Sequence, residues 1–193
     1  MQKAAQHDSI WQQPEALGRN RLPSRSPLFP YDDGQAAQGY NLDDSPWVRM
    51  LNGSWRFQLF GGPTEVPLKV LEAGFKDRSW SEIEVPTSWV LQGYGRPRYN
   101  GGRAPFEEQP PFTPDDNPTG VYRTSFKLPS DWRDRRVVLR LGAVESGFSL
   151  YVNGSNAGLG EDSRTATEID ITRFLSSGTN TLAIMVFSYC SGS

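Results

Sequence analysis

The sequence predicts an all-β protein, a jelly-roll β-sandwich carrying an extended N-terminal arm. Three observations point there. Short runs of alternating apolar and polar residues recur at even spacing from Leu51 onward, the period-2 signature of half-buried strands. Nineteen glycines and fifteen prolines supply turns between the runs. Six tryptophans and ten phenylalanines supply bulk for a core between two sheets.

Residues 1–46 form the expected arm. Pro14, Pro23, Pro27, Pro30 and Pro46 forbid a long helix there. Trp11, Leu28, Phe29 and Tyr31 are scattered anchors, so the segment is expected to lie along a body, with its first few residues disordered. The body is expected over 47–193. Its first strand is "LNGSWRFQLF", where Trp55, Phe57 and Leu59 share a face. A second short strand, "SEIEV", stops at Pro86.

The stretch from Leu91 to Asp116 is rich in Gly and Pro and has no period; loops of that length are usually functional. "NPTG" then reads as a type I turn, with Pro118 in its second position and Gly120 closing it. "VYRTSFKL" puts Tyr122, Thr124, Phe126 and Leu128 on one face. "VVLRLGAV" and "GFSLYVNG" alternate in the same way, and the second ends in Asn153-Gly154, the strongest short hairpin signal. "ATEIDIT" is another strand, and "DITRFLSSG" is one helical turn closing on Gly178. "TLAIMVF" is apolar on both faces, as a central strand requires. Leu182, Ile184 and Val186 are expected to face the core. Ala183, Met185 and Phe187 are expected on the outer face, there to meet another domain or associate.

Composition excludes several functions. The chain of 193 residues has a net charge of -2 and 36% hydrophobic residues. Its densest basic run, "RDRRVVLR", sits at a strand entrance with its arginines expected in water, so no nucleic acid partner is expected. One cysteine, Cys190, permits no internal disulfide and is expected to be a buried strand-end thiol or an inert surface one. The opening residues lack the apolar core of a signal peptide, and no window approaches the ~18 apolar residues of a membrane helix. The expectation is a cytoplasmic protein with no membrane partner. The sequons at Asn52 and Asn153 read as turn chemistry.

The candidate reacting groups are few. Glu107-Glu108, Asp115-Asp116 and Glu161-Asp162 are carboxylate pairs, but sequence neighbours rarely point into one site; each is expected to be a solvated loop group. No catalytic residue is assigned. His7 is the only histidine and no Cys/His cluster exists, so no metal site is expected. Trp55 is expected in the core. Trp89 and Tyr94, beside the long loop, have the chemistry to stack on a sugar, although packing roles are expected for both.

Six stretches carry a family resemblance. "LNGSWRF", "VPTSWVLQGYGRPRY", "PPFTPDDNPTGVYRTSFKLPSDW", "VESGFSLYVNG", "DSRTATEIDIT" and "TNTLAIMV" occur in the order seen at the start of bacterial-type β-galactosidases of glycoside hydrolase family 2. "WQQPEALGRNRLP" resembles that family's opening arm. The resemblance implies a sugar-binding, galactose-binding-domain-like jelly roll. It also implies a chain ending at a domain boundary, inside a loop that the family continues toward an (α/β)₈ barrel.

In the family two glutamates on the barrel carry the chemistry, and nothing here matches their motifs; this chain alone is expected to be inactive. Two side chains of the family's first domain contact the galactosyl group. The first is an Asn, whose position falls on Gly101 here, with Asn100 one place early. The second is an Asp, which also helps to hold sodium, and its position falls on Ser191. Asn offers donors and an acceptor where Gly has only backbone, and Asp offers a charge where Ser has a neutral hydroxyl. The family uses magnesium and sodium, and their ligands are not retained here, so no cofactor is expected. The expected partners are a weakly held galactoside, the remaining enzyme domains and further subunits. A stand-alone lectin-like module and an inactive scaffold remain open as alternatives.

Overall fold

A computed structural model describes residues 10–16, 18–97 and 111–191. Among these residues eight strands form two antiparallel sheets. They are β1 (Gly53–Phe60), β2 (Ser81–Val85), β3 (Thr119–Lys127), β4 (Val138–Leu141), β5 (Gly147–Val152), β6 (Ser155–Gly160), β7 (Thr167–Asp170) and β8 (Thr179–Phe187). Six of them pair in the order β2-β1-β3-β8-β5-β6, and β4 pairs with β7 in a small second sheet. The period-2 runs therefore become strands as expected.

β5 and β6 form the hairpin at Asn153-Gly154, where both residues take the positive φ that the turn demands (50° and 81°). The strand β6 itself, "SNAGLG", carries no apolar alternation that would announce it. A register shift opposite Leu150 and Tyr151 explains this. The bulge inserts one residue, so Ala157 enters the inner core and Leu159 the outer one.

The inner core lies between the sheets. Trp55, Phe57, Ile83, Phe148, Leu150, Val152, Leu182, Ile184 and Val186 from the large sheet meet Val137, Ile169 and Ile171 around the small one. The tryptophan assigned to the core, Trp55, is 6% exposed and donates its indole N–H to Leu51 O at 2.8 Å. Trp89 and Tyr94 pack on this core too, their rings 6.0 and 4.8 Å from that of Phe57.

The outer face of the large sheet differs from expectation. Ala183, Met185 and Phe187 do point outward, but this chain covers them. Ile10 and Trp11 of the arm, Val66, Val70 and Leu71 from the short 3-10 turns after β1, and Cys190 close over them. The Trp11 ring lies 5.4 Å from that of Phe187, which is 1% exposed. No further domain is needed to bury this face. The cover is pinned by Arg123, a β3 residue on the same face. Buried, it donates to Asp77 Oδ2 (2.9 Å), to Glu72 O (3.1 Å) and to Val70 O.

The arm runs on across the small sheet. Arg21 bridges Ile169, Leu22 N donates to Glu168 O (2.8 Å), and Arg25 pairs with Glu168 (2.9 Å). The Asn20 amide donates to Ala157 O and Asp170 O (2.7 and 2.9 Å), linking both sheets. Of the expected anchors, Trp11 is buried while Leu28 is 73% exposed. A short helix α1 (Gly34–Gly39) interrupts the arm; Asp33 caps it by accepting from the N–H groups of Gln35 and Ala36. The expected disorder at the start of the arm lies outside the described residues. In the basic run, Arg133, Arg135, Arg136 and Arg140 are exposed, as expected.

Candidate functional site

One end of the large sheet gathers the segments of interest. Antiparallel pairing puts the end of β1, the starts of β3 and β5 and the ends of β6 and β8 at a common edge: Phe60 opposes Thr119, Phe187 opposes both Thr119 and Gly147, and Phe148 opposes Gly160. The long segment between β2 and β3 leaves from the other end, where Val85 opposes Gly53, and returns here at Thr119.

"NPTG" does not close a turn at this edge. β3 already includes Thr119 and Gly120, and Gly120 pairs with Leu59 and Val186. A side chain at 120 would strike the rings of Trp89 and Phe57, 2.6 and 2.7 Å from its Cβ. Packing, not turn geometry, requires this glycine. Asn117 is 1% exposed and acts as a clasp. Its amide donates to Tyr189 O (3.0 Å) while its Oδ1 accepts from Tyr189 N (2.9 Å). Ser188 donates through both N and Oγ to Pro118 O (3.1 and 2.7 Å). The tail after β8 is thereby fixed against the start of β3.

Ser191 is held at the end of that tail. Its N–H donates to Trp11 O (2.7 Å), and its hydroxyl donates to Glu161 Oε2 (2.8 Å). Next to Trp11, Gln12 donates to Thr113 Oγ1 (3.1 Å), on the returning stem of the long loop. Ser191, the arm and that stem thus form one connected group. Asn100 and Gly101, the other expected sugar contacts, lie outside the described residues, as do His7, Glu107 and Glu108.

Glu161 corrects one expectation. It is not a solvated loop carboxylate but a half-buried one, and its Oε1 is buried without a hydrogen-bond partner. Burial pushes its pKa up, against the lowering effect of hydrogen bonds from Ser191 and Cys190. Its neighbour Asp162 behaves oppositely. The Arg164 N–H foremost, then Thr165 and Arg21, hold its carboxyl below the usual value. Unequal carboxyls can mark an acid and a nucleophile. Here Asp162 is turned into its own loop, accepting from Arg164 N and Thr165 N (3.2 and 3.1 Å), while Glu161 faces Ser191. They do not flank a common point. Asp115 and Asp116 are exposed, as expected. Cys190 is buried, 5% exposed, which fits the strand-end thiol.

At position 191 the charge of a carboxylate is replaced by a neutral hydroxyl, which donates to Glu161. Among the described residues no group of three or more His, Cys, Asp or Glu could hold a metal ion. No helix among them is long and apolar enough to cross a membrane. Sequence reasoning missed Asn117, Trp11 and Glu161 as parts of this end. Nothing in their local pattern marks them, because each acts through a contact distant in sequence.

Comparison with known proteins places these features. The family described as "Glycosyl hydrolases family 2, sugar binding domain" matches residues 48–193. The β-galactosidase of Psychromonas ingrahamii is 40% identical over 185 residues, covering 95% of this chain and 18% of that protein. The β-galactosidase of Vibrio vulnificus is also 40% identical over 185 residues, covering 95% of this chain and 17% of that protein. The chain therefore spans less than a fifth of these relatives. Among solved structures, Bacteroides uniformis β-glucuronidase matches at a TM-score of 0.54 and 29% identity, over 72% of this chain and 14% of that one. Bifidobacterium dentium β-glucuronidase, complexed with coumarin-3-O-glucuronide, matches at 0.54 and 25%, over 71% of this chain and 19% of that one.

Proposed function

This chain belongs to the sugar-binding domain family of glycosyl hydrolases family 2, and from that premise we propose that it is the non-catalytic, sugar-facing module of a longer β-galactoside-hydrolysing enzyme. The convergence of Ser191, the Trp11 arm and the returning stem of the long loop at one sheet end supports this reading. In it, Ser191, Asn100 and Gly101 form the part of the wall nearest the sugar. The paired carboxylates of retaining hydrolysis, about 5–5.5 Å apart, come from the remaining domains. Those domains and further subunits are the protein partners, and sodium and magnesium, where the enzyme uses them, are held by residues outside this chain.

Two measurements test the proposal. The purified chain is expected to leave a chromogenic β-galactoside intact; turnover that survives repurification and scales with protein contradicts it. Titration with galactose is expected to show no binding tighter than the millimolar range. A low-micromolar constant would need about 8 kcal/mol from one partial wall, and would point to a lectin. A chimera supplies the positive arm. This chain replaces the matching segment of the Psychromonas ingrahamii enzyme, and the product is expected to hydrolyse β-galactosides with a raised KM. A folded chimera without activity would show that the module does not serve such an enzyme.

The Ser191–Glu161 contact also predicts what restores the family pattern. Ser191→Asp alone sets a second carboxylate against Glu161, and one of the two then holds its proton. In the chimera, Ser191→Asp with Glu161→Gln is expected to lower KM, and Ser191→Asp alone is not.

A further inference from the structure

The opposite end of the sandwich holds a second feature. β3 and β8 are each nine residues long, so the two ends of the large sheet lie ~27 Å apart along these strands. There a groove of about 300 Å³ opens between the turn after β3 and the turn before β8. That is the lower end of the size range of small-ligand sites. Its floor is apolar, made by Leu128, Val137 and Leu175, with Trp132 beside them; Arg133, Arg135, Ser176 and Ser177 make its polar wall.

The polar wall has donors to spare. The Arg135 guanidinium lies 3.9 Å from the centre of the Trp47 ring, and its Nε donates to Asp131 O (3.3 Å). Stacking fixes the plane of the fork without using its in-plane N–H groups, so the two terminal nitrogens stay available. Arg133 is exposed and has no hydrogen bond or ion pair with any described residue. The nearby arginine that does find a carboxylate, Arg136, pairs with Asp170 (2.7 Å). The carboxylates adjacent in sequence, Asp131 and Asp134, do not line the groove.

We propose that this groove is a second binding site, for an anionic saccharide bearing a carboxylate or sulfate group. The anion is taken by Arg133 and by the stacked Arg135. The sugar's C–H surface lies on the floor beside Trp132, and its hydroxyls meet Ser176 and Ser177. A planar guanidinium suits either oxyanion bidentately, so the source of the anion is left to the test.

The test is titration of the whole chain, followed by NMR or calorimetry, with four probes: digalacturonate, a sulfated galactose disaccharide, neutral galactobiose and inorganic sulfate. At least one charged disaccharide is expected to bind about tenfold more tightly than galactobiose and than free sulfate, and the pair identifies which anion is preferred. Arg133→Glu is expected to weaken that binding by about tenfold or more with no change in melting temperature, since the side chain is exposed. Ser177→Phe, which fills the groove without altering charge, is expected to abolish it. Failure of both charged disaccharides to bind overturns the proposal. So does equal binding of galactobiose, equal binding of free sulfate, or indifference to both variants. The outcome is separate from the sugar-facing role of the Ser191 end, which these variants do not touch.

Discussion

The two faces of the large sheet are equally dry and are built in different ways. The inner face meets another sheet, strand against strand, and buries Leu182, Ile184 and Val186. The outer face buries Ala183, Met185 and Phe187 just as well, under short turns, two residues of the arm and a tail cysteine. Regular structure holds its own cover through a ladder. An irregular cover has no ladder, so it needs side chains to tether it. Arg123 is the tether for the turns, with three acceptors on one guanidinium. Asn117 is the tether for the tail. The outer cover therefore rests on a few residues whose loss should be felt out of proportion.

The largest expected effect falls on Phe187. Phe187→Ser should destabilise by about 3–5 kcal/mol, as for a buried Phe truncation, lowering the melting temperature by roughly 10 °C or more in a chain of this size. Leu182→Ala, on the inner face, should cost about 2–5 kcal/mol. Thermal melts on both decide whether the two faces are equal; a drop of only two or three degrees for Phe187→Ser would make the outer cover a loose flap.

Arg123→Met comes next, at about 3 kcal/mol. It leaves Asp77 and two carbonyls without their donor, and breaking such a buried pair is costly. Proteolysis should then begin within 66–77 before it touches the sheet. Cleavage starting elsewhere would remove Arg123 as the tether. Asn117→Ala should cost about 1–3 kcal/mol, the penalty of leaving buried backbone groups at Tyr189 unpaired, and hydrogen exchange at Tyr189 should rise while that of β5 does not.

The smallest effect concerns pH. Burial raises the Glu161 pKa above its ordinary 4.5. A carboxyl with a raised folded pKa stabilises the fold while protonated, and that contribution is lost as pH rises through the folded value. Glu161→Gln should therefore melt slightly higher than the parent at pH 7, with the two curves converging as pH falls toward 4.5. A gap that widens on acidification would reverse the sign and show that the Ser191 and Cys190 bonds outweigh burial.

How much of this was legible in the sequence follows the same division. Strands that alternate, such as Tyr122 to Leu128, declare their inner face in their own letters. β6 stayed silent because its bulge breaks the period between Ala157 and Leu159. Val66, Val70 and Leu71 have no period at all, since each 3-10 turn contributes one or two residues. Phe187 was correctly set on the outer face, but its partner Trp11 lies at the other end of the chain. Gly120 read as a turn residue because composition cannot distinguish a needed φ from a needed gap. At the sheet end, resemblance alone draws notice to Ser191, and the sequence reads Glu161 as a solvated group because its contact with Ser191 is tertiary.

The strand order has a consequence for the moment of synthesis. Of these eight strands β8 is made last, yet it sits between β3 and β5 and pairs with both. While a ribosome is still translating the residues before 179, the large sheet can exist only as two separate pieces, β2-β1-β3 and β5-β6. Each offers an open edge at β3 or β5, and open edges are the places where chains pair wrongly. The arm, translated before the sheet, has no finished surface to settle on until Met185 and Phe187 arrive. A ribosome that stalls ahead of β8 would leave both halves, and the arm, in the care of chaperones.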